Sequence, residues 1–247
     1  MATDALRQQA VPRLRVNPKA DRIFFSTMVL LLWATVLFGF AKTYFLAGMV
    51  EAPLPNRLIH VHGAIMTLWM VLLFVQTALI SARRVKWHQT LGLFGFGLAC
   101  AMVIIGPIAA TNSLRRGVGV LGLDPKTFYV IPLSAIFIFG VLAFFAYRYR
   151  RQPAIHKRLI LIATIGLIDA AVGRWPVAFF QTNPKAQDLI PFGFLLAVMV
   201  FDLATQRKIL KTTLFASLFL IVIHLTRVPI AFTHPWQAFA TMMLGKG

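Results

Sequence analysis

Apolar positions gather in seven blocks, at 23–47, 59–81, 88–110, 128–147, 156–179, 189–204 and 213–232. A helix needs about 20 apolar residues to cross a hydrocarbon core of about 30 Å. Every block except the sixth reaches that length. If the sixth only dips into the bilayer, the C-terminus changes sides. Little chain is left between blocks for a separate soluble domain. The pattern therefore predicts an all-α polytopic bundle of seven transmembrane helices over 23–232. A short segment, 1–22, precedes it, and an outer tail, 233–247, follows. The fifth block is expected to bend or end near Pro176, because proline removes a helical hydrogen bond.

Turn-forming residues separate the blocks. Pro53, Pro55 and Asn56 follow the first, Gly117, Gly119, Gly122, Asp124 and Pro125 follow the third, and Asn183 and Pro184 follow the fifth. The basic residues then set an orientation, since cytoplasmic loops carry an excess of Lys and Arg. Arg7, Arg13, Arg15, Lys19 and Arg22 precede the first block, and Arg83, Arg84 and Lys86 lie between the second and third. Arg148, Arg150, Arg151, Lys157 and Arg158 flank the next inner loop, and Arg207, Lys208 and Lys211 the last. These are 16 of the 25 basic residues. The bias predicts a cytoplasmic N-terminus for a multi-pass membrane protein.

Composition changes this picture little. The chain is 59% apolar, 13% charged and carries a formal charge of +18. That charge does not point to nucleic acid, because it lies in short runs at block ends and not on one soluble face. It suits helix anchoring and an anionic lipid surface. The single cysteine, Cys100, excludes an internal disulfide, a CxxCH haem attachment and a thiolate cluster. The first block is too long for a signal-peptide core and lacks a small-residue cleavage site after it. No Gly-rich phosphate loop, GxSxG, HExxH or di-iron array occurs.

Histidine carries the candidate chemistry. His60 and His62 open the second block at the outer side, and His88 and His156 open the third and fifth at the inner side. His224 lies inside the seventh block, and His234 beyond it. A b-type haem takes two axial imidazoles from different helices. His88 with His156 would hold an inner haem b, and His62 with His224 an outer one. Arg83, Arg84, Lys157 and Arg158 would lie near the inner propionates. The competing reading of His88 and His156 is interfacial hydrogen bonding at a helix start, and of His224 a bond to nearby backbone. His60, His62 and His234 make an alternative outer copper or zinc site. His62, Trp69 and Gln76, seven apart, share one helix face that should point inward. His60 lies about 160° round from His62.

Other polar residues stand inside the blocks. Asp169, Arg174 and Arg227 would meet His224 in an outer cluster, either a proton or substrate site or a structural ion pair. Asp202 is expected to be a solvated charge beside Arg207. Gly92, Gly95, Gly97 and Ala99 permit close helix approach. Residues 82–92 and 149–161 each place an arginine pair and then a histidine at an inner helix start. That echo reads equally as a duplication or as two basic stop signals.

Three stretches, HVHGAIMTLWMVLLFVQTALISARRVKWHQTLG (60–92), HKRLILIATIGLIDAAVGRWP (156–176) and FDLATQRK (201–208), resemble those of uncharacterised bacterial multi-spanning membrane proteins. The resemblance marks His60, His62, His88, His156, Lys157, Arg158 and Arg174 as motif positions and implies little about function. The histidine placement also resembles that of ascorbate-reducible membrane cytochromes b, which implies haem b and transmembrane electron transfer. Two alternatives remain. One is a proton-coupled small-molecule transporter, and the other a non-catalytic accessory subunit of a larger membrane complex.

Overall fold

Backbone polar groups find no water in a hydrocarbon core, so an apolar chain satisfies them by forming helices. The computed structural model describes residues 17–47, 56–119 and 122–245. Arg7, Arg13, Arg15, Pro53 and Pro55 lie outside them. Every regular element among the described residues is helical. In order these are α1 (Pro18–Phe40), a π-helical turn (Ala41–Phe45), α2 (Arg57–Ser81), α3 (Val85–Arg115), α4 (Pro125–Phe128), α5 (Val130–Arg148) and α6 (Pro153–Ile165). Then come α7 (Asp169–Val172), α8 (Ala178–Thr182), a 3-10 turn (Pro184–Asp188), α9 (Leu189–Gln206), α10 (Lys211–Ala231) and α11 (His234–Met243). Asn17, Asn56 and Asp124 cap α1, α2 and α4, each accepting from backbone N–H groups of the first turn.

Among the described residues, six helical segments are long and apolar enough to cross a membrane: Pro18–Phe45, Arg57–Ser81, Val85–Arg115, Pro125–Arg148, Lys185–Gln206 and Lys211–Ala231. The sixth block of the sequence is thus one continuous helix. The fifth is not. After α6 the ladder tightens, and the amides of Leu167 and Ile168 bond three residues back, to Thr164 and Ile165. One turn of α7 follows, and the chain leaves the helix ahead of Pro176. Tertiary packing holds this break. α7 presses backbone against backbone on α1, where a Cβ on Gly39 would lie 2.1 Å from the Ala171 carbonyl oxygen.

Polar contacts define two ends of the bundle. At one end Ser26 meets Ser81, His156 meets the Ala146 carbonyl, and Lys157 pairs with Asp21. Arg158 pairs there with Asp202. At the other end Tyr44 bonds the His60 carbonyl, Asn56 bonds Asn112, and Thr111 bonds Tyr129. α11 packs at this second end, where the Trp236 indole donates to the Lys126 carbonyl and Arg115 donates to the Met243 carbonyl. The core between the ends holds Leu32, Trp69, Met102, Phe139, Ile162, Leu195 and Leu220. Leu30, Phe74, Ile104, Phe137, Leu196 and Phe215 are exposed, one on each long helix. An apolar belt round the whole bundle suits a lipid bilayer.

Asp202 departs from the sequence expectation. It is fully buried, and its carboxylate accepts from the Arg158 Nε at 2.9 Å, from the Leu210 amide at 3.2 Å and from the Thr213 hydroxyl. A carboxylate cannot remain charged without partners in an apolar interior. The buried Arg158 is the cation that holds it there. The two residues are 44 apart, so no local pattern reveals the pairing.

Candidate functional site

The first turns of α3 and α6 build the site at the end that carries Lys157 and Asp21. A sharp turn with Arg83 at φ 58° starts α3 at Val85 and sets His88 in its first turn. Pro153 at the first helical position of α6 puts His156 in the matching place. The two rings come together, with centroids 6.3 Å apart and planes at 82°. His156 Nδ1 lies 2.9 Å from the Ala146 carbonyl oxygen. A carbonyl only accepts, so Nδ1 carries the hydrogen, and in the neutral ring Nε2 holds the lone pair. His88 Nδ1 is buried and has no hydrogen-bond partner among the described residues. Its ring also lies against the Gln76 backbone. Lys157 and Arg158 are already paired with Asp21 and Asp202, which leaves Arg83 and Arg84 as the exposed cations nearby.

The donor set suits a metal-centred group: two imidazoles from different helices meet here, and one of them, His88, has a buried Nδ1 with no partner among the described residues. An imidazole that ligates through one nitrogen almost always donates from the other to a carbonyl or carboxylate. His156 has that arrangement.

The face of α2 carrying His62, Trp69 and Gln76 points inward. Trp69 is buried, donates to Thr164 Oγ1 at 3.2 Å, and sets its edge on Phe139. His62 and Gln76 are half-buried, and His62 Nδ1 and Gln76 Oε1 have no partner among the described residues. His60 is exposed and faces Tyr44 with ring centroids 5.9 Å apart. His234 is exposed at the start of α11. No group of three or more His, Cys, Asp or Glu able to hold a metal occurs among the described residues. His60, His62 and His234 therefore do not form a cage.

His224 does not face His62. Its Nε2 lies 2.7 Å from Asp188 Oδ1, and its Nδ1 lies 3.4 Å from Asp169 Oδ2. One carboxylate bonds Nε2, and a second lies beside Nδ1 at ion-pair distance. Asp169 also pairs with Arg227 at 2.7 Å, and Arg227 Nη2 approaches His224 Nε2 at 3.1 Å. The expected outer cluster forms around Asp169, His224 and Arg227. Arg174 is outside it, donating to the Ala170 carbonyl and covering the Phe40 ring at 4.8 Å. Comparison with family models, curated proteins and solved structures finds no match for this chain.

Asp188 is the member of the outer cluster that sequence reasoning missed. It sits at the end of the 3-10 turn before α9, outside the apolar blocks. Its one sequence signal is an acidic residue immediately before an apolar block.

Proposed function

We infer that the protein crosses a bacterial inner membrane seven times with its N-terminus in the cytoplasm, and that His88 and His156 bind one b-type haem at the basic end. The observation that carries the haem reading is the pair of imidazoles, 6.3 Å apart at 82°, with His156 Nδ1 committed to a carbonyl. The basic bias of one end supports the orientation. Contacts of α6 with Asp202 and of α7 with Arg227 support counting the broken fifth segment as a crossing.

When bound, haem supplies a one-electron couple at this face of the bilayer. The chain's own residues have separate tasks. His156 and His88 hold the group from two helices. The Ala146 carbonyl fixes the His156 tautomer. With His224 engaged by two carboxylates, the reading narrows to one haem and to electron transfer within the inner half of the membrane.

Expression in a haem-replete host tests this. Wild-type protein should carry one haem per chain, and His88→Ala and His156→Ala should each lose most of it while keeping the helical fold. Equal haem content in all three overturns the assignment. Cysteine labelling at Arg150 and at Lys185 from either side of inverted vesicles tests the orientation. Reaction of both from the same side contradicts seven crossings.

A further inference from the structure

The two buried ionic clusters differ in kind. At the basic end every partner of the Asp202 carboxylate is a fixed donor: a guanidinium, a backbone amide and a hydroxyl. At the other end the centre is an imidazole, with a conflict at one atom. His224 Nε2 lies 2.7 Å from an Asp188 oxygen and 3.1 Å from Arg227 Nη2. An imidazole nitrogen has one in-plane position, filled by a hydrogen or by a lone pair. A carboxylate needs the hydrogen there, and a guanidinium N–H needs the lone pair.

We propose that the Asp188–His224–Asp169–Arg227 cluster is a proton-binding site that loads and releases one proton at the outer membrane face. In the loaded state Nε2–H donates to Asp188 and Nδ1–H faces Asp169. Two carboxylates then balance one imidazolium and one guanidinium. In the unloaded state the ring keeps the Nδ1 hydrogen toward Asp169, and its bare Nε2 accepts from Arg227. The two states differ by one proton and no other atom. The proton comes from and returns to outer water by way of Asp188, whose side chain is 36% exposed while that of His224 is 4% exposed.

A second observation points the same way. Arg227 is buried, and its Nε has no partner among the described residues. The guanidinium is therefore not locked by a full set of acceptors. The groups facing His224 are Asp169 from α7, Asp188 from the 3-10 turn, Arg227 from its own helix, and the Phe192 ring of α9, with ring centroids 5.1 Å apart. α5, α6 and α9 carry their ionisable groups at the basic end: Tyr147, Arg148, His156, Lys157, Arg158 and Asp202. α4 and α11 add Lys126 and His234. This site is independent of the haem reading, because it shares no residue with His88 and His156.

Nitrogen NMR of ring-labelled histidine in the full-length protein, reconstituted in nanodiscs, tests the proposal. His224→Gln assigns the signal. Across the pH range in which the protein stays folded, the wild-type Nε2 should change from a protonated to a bare signal while Nδ1 stays protonated. In Asp188→Asn the change should be lost, with Nε2 bare throughout. His88→Ala should leave the change intact. A His224 ring in one form across the range overturns the proposal, as does an Asp188→Asn titration identical to wild type.

Discussion

Replacing Arg158 by leucine tests the buried ionic junction that ties α6 to α9 and α10. Asp202 has no exposed surface and Arg158 is 2% exposed. After the change the carboxylate keeps only the Leu210 amide and the Thr213 hydroxyl as donors. Removing one partner of such a pair costs about 3–5 kcal/mol, because the surviving charge is left uncompensated. The double variant Arg158→Leu with Asp202→Asn removes both charges and keeps an amide oxygen to accept from the Leu210 amide and the Thr213 hydroxyl, leaving one side-chain N–H group orphaned at about 1–3 kcal/mol. The order of stability should be wild type, then double variant, then Arg158→Leu alone. Reversible unfolding in mixed micelles with a rising fraction of denaturing detergent reads all three. A cost below about 1 kcal/mol for the single variant, the range of exposed pairs, refutes the reasoning. So does a double variant less stable than the single one.

Two glycines give opposite expectations. Gly39→Ala drives a Cβ into the Ala171 backbone and should lower the unfolding midpoint, whereas Gly97→Ala meets nothing within 4 Å and should gain about 0.5–1 kcal/mol of helix propensity. Arg207 ends α9 at φ 59°, so Arg207→Gly should raise stability by about 1 kcal/mol in the same titration. The Thr127 hydroxyl, with the Thr127 and Lys126 amides, holds the Asp124 carboxyl below its ordinary value of 3.8. A depressed acid stabilises the fold above its unfolded value and loses that contribution as pH falls through the lower, folded one. Thr127 amide protection should therefore persist through the ordinary carboxylate value of 3.8 and fall only below it in wild type, and stay flat in Asp124→Asn, which caps without titrating.

Much of the architecture follows from block length and end charge alone. The continuous helices α1, α2, α3, α5, α9 and α10 coincide with apolar blocks whose polar flanks stop them. The break at 166–168 was not legible, because the close approach of α7 to Gly39 that accompanies it joins residues distant in sequence. The sites divide the same way. His88 and His156 come together as two histidines one turn into helices that start at the same end, and periodicity reveals that. The partners of His224 and Asp202 do not follow from periodicity. Asp188 lies in a connection, and Arg158 reads as one more basic anchor until α9 packs beside it. The unusual depth of Asp169, His224 and Arg227 signalled a cluster without specifying its bonds.

The absorption spectrum of the wild-type protein, purified after haem-replete expression, tests the central claim most directly. The account predicts a coloured protein with a sharp Soret band, split α and β bands on reduction, and one haem per chain. A colourless protein would contradict it.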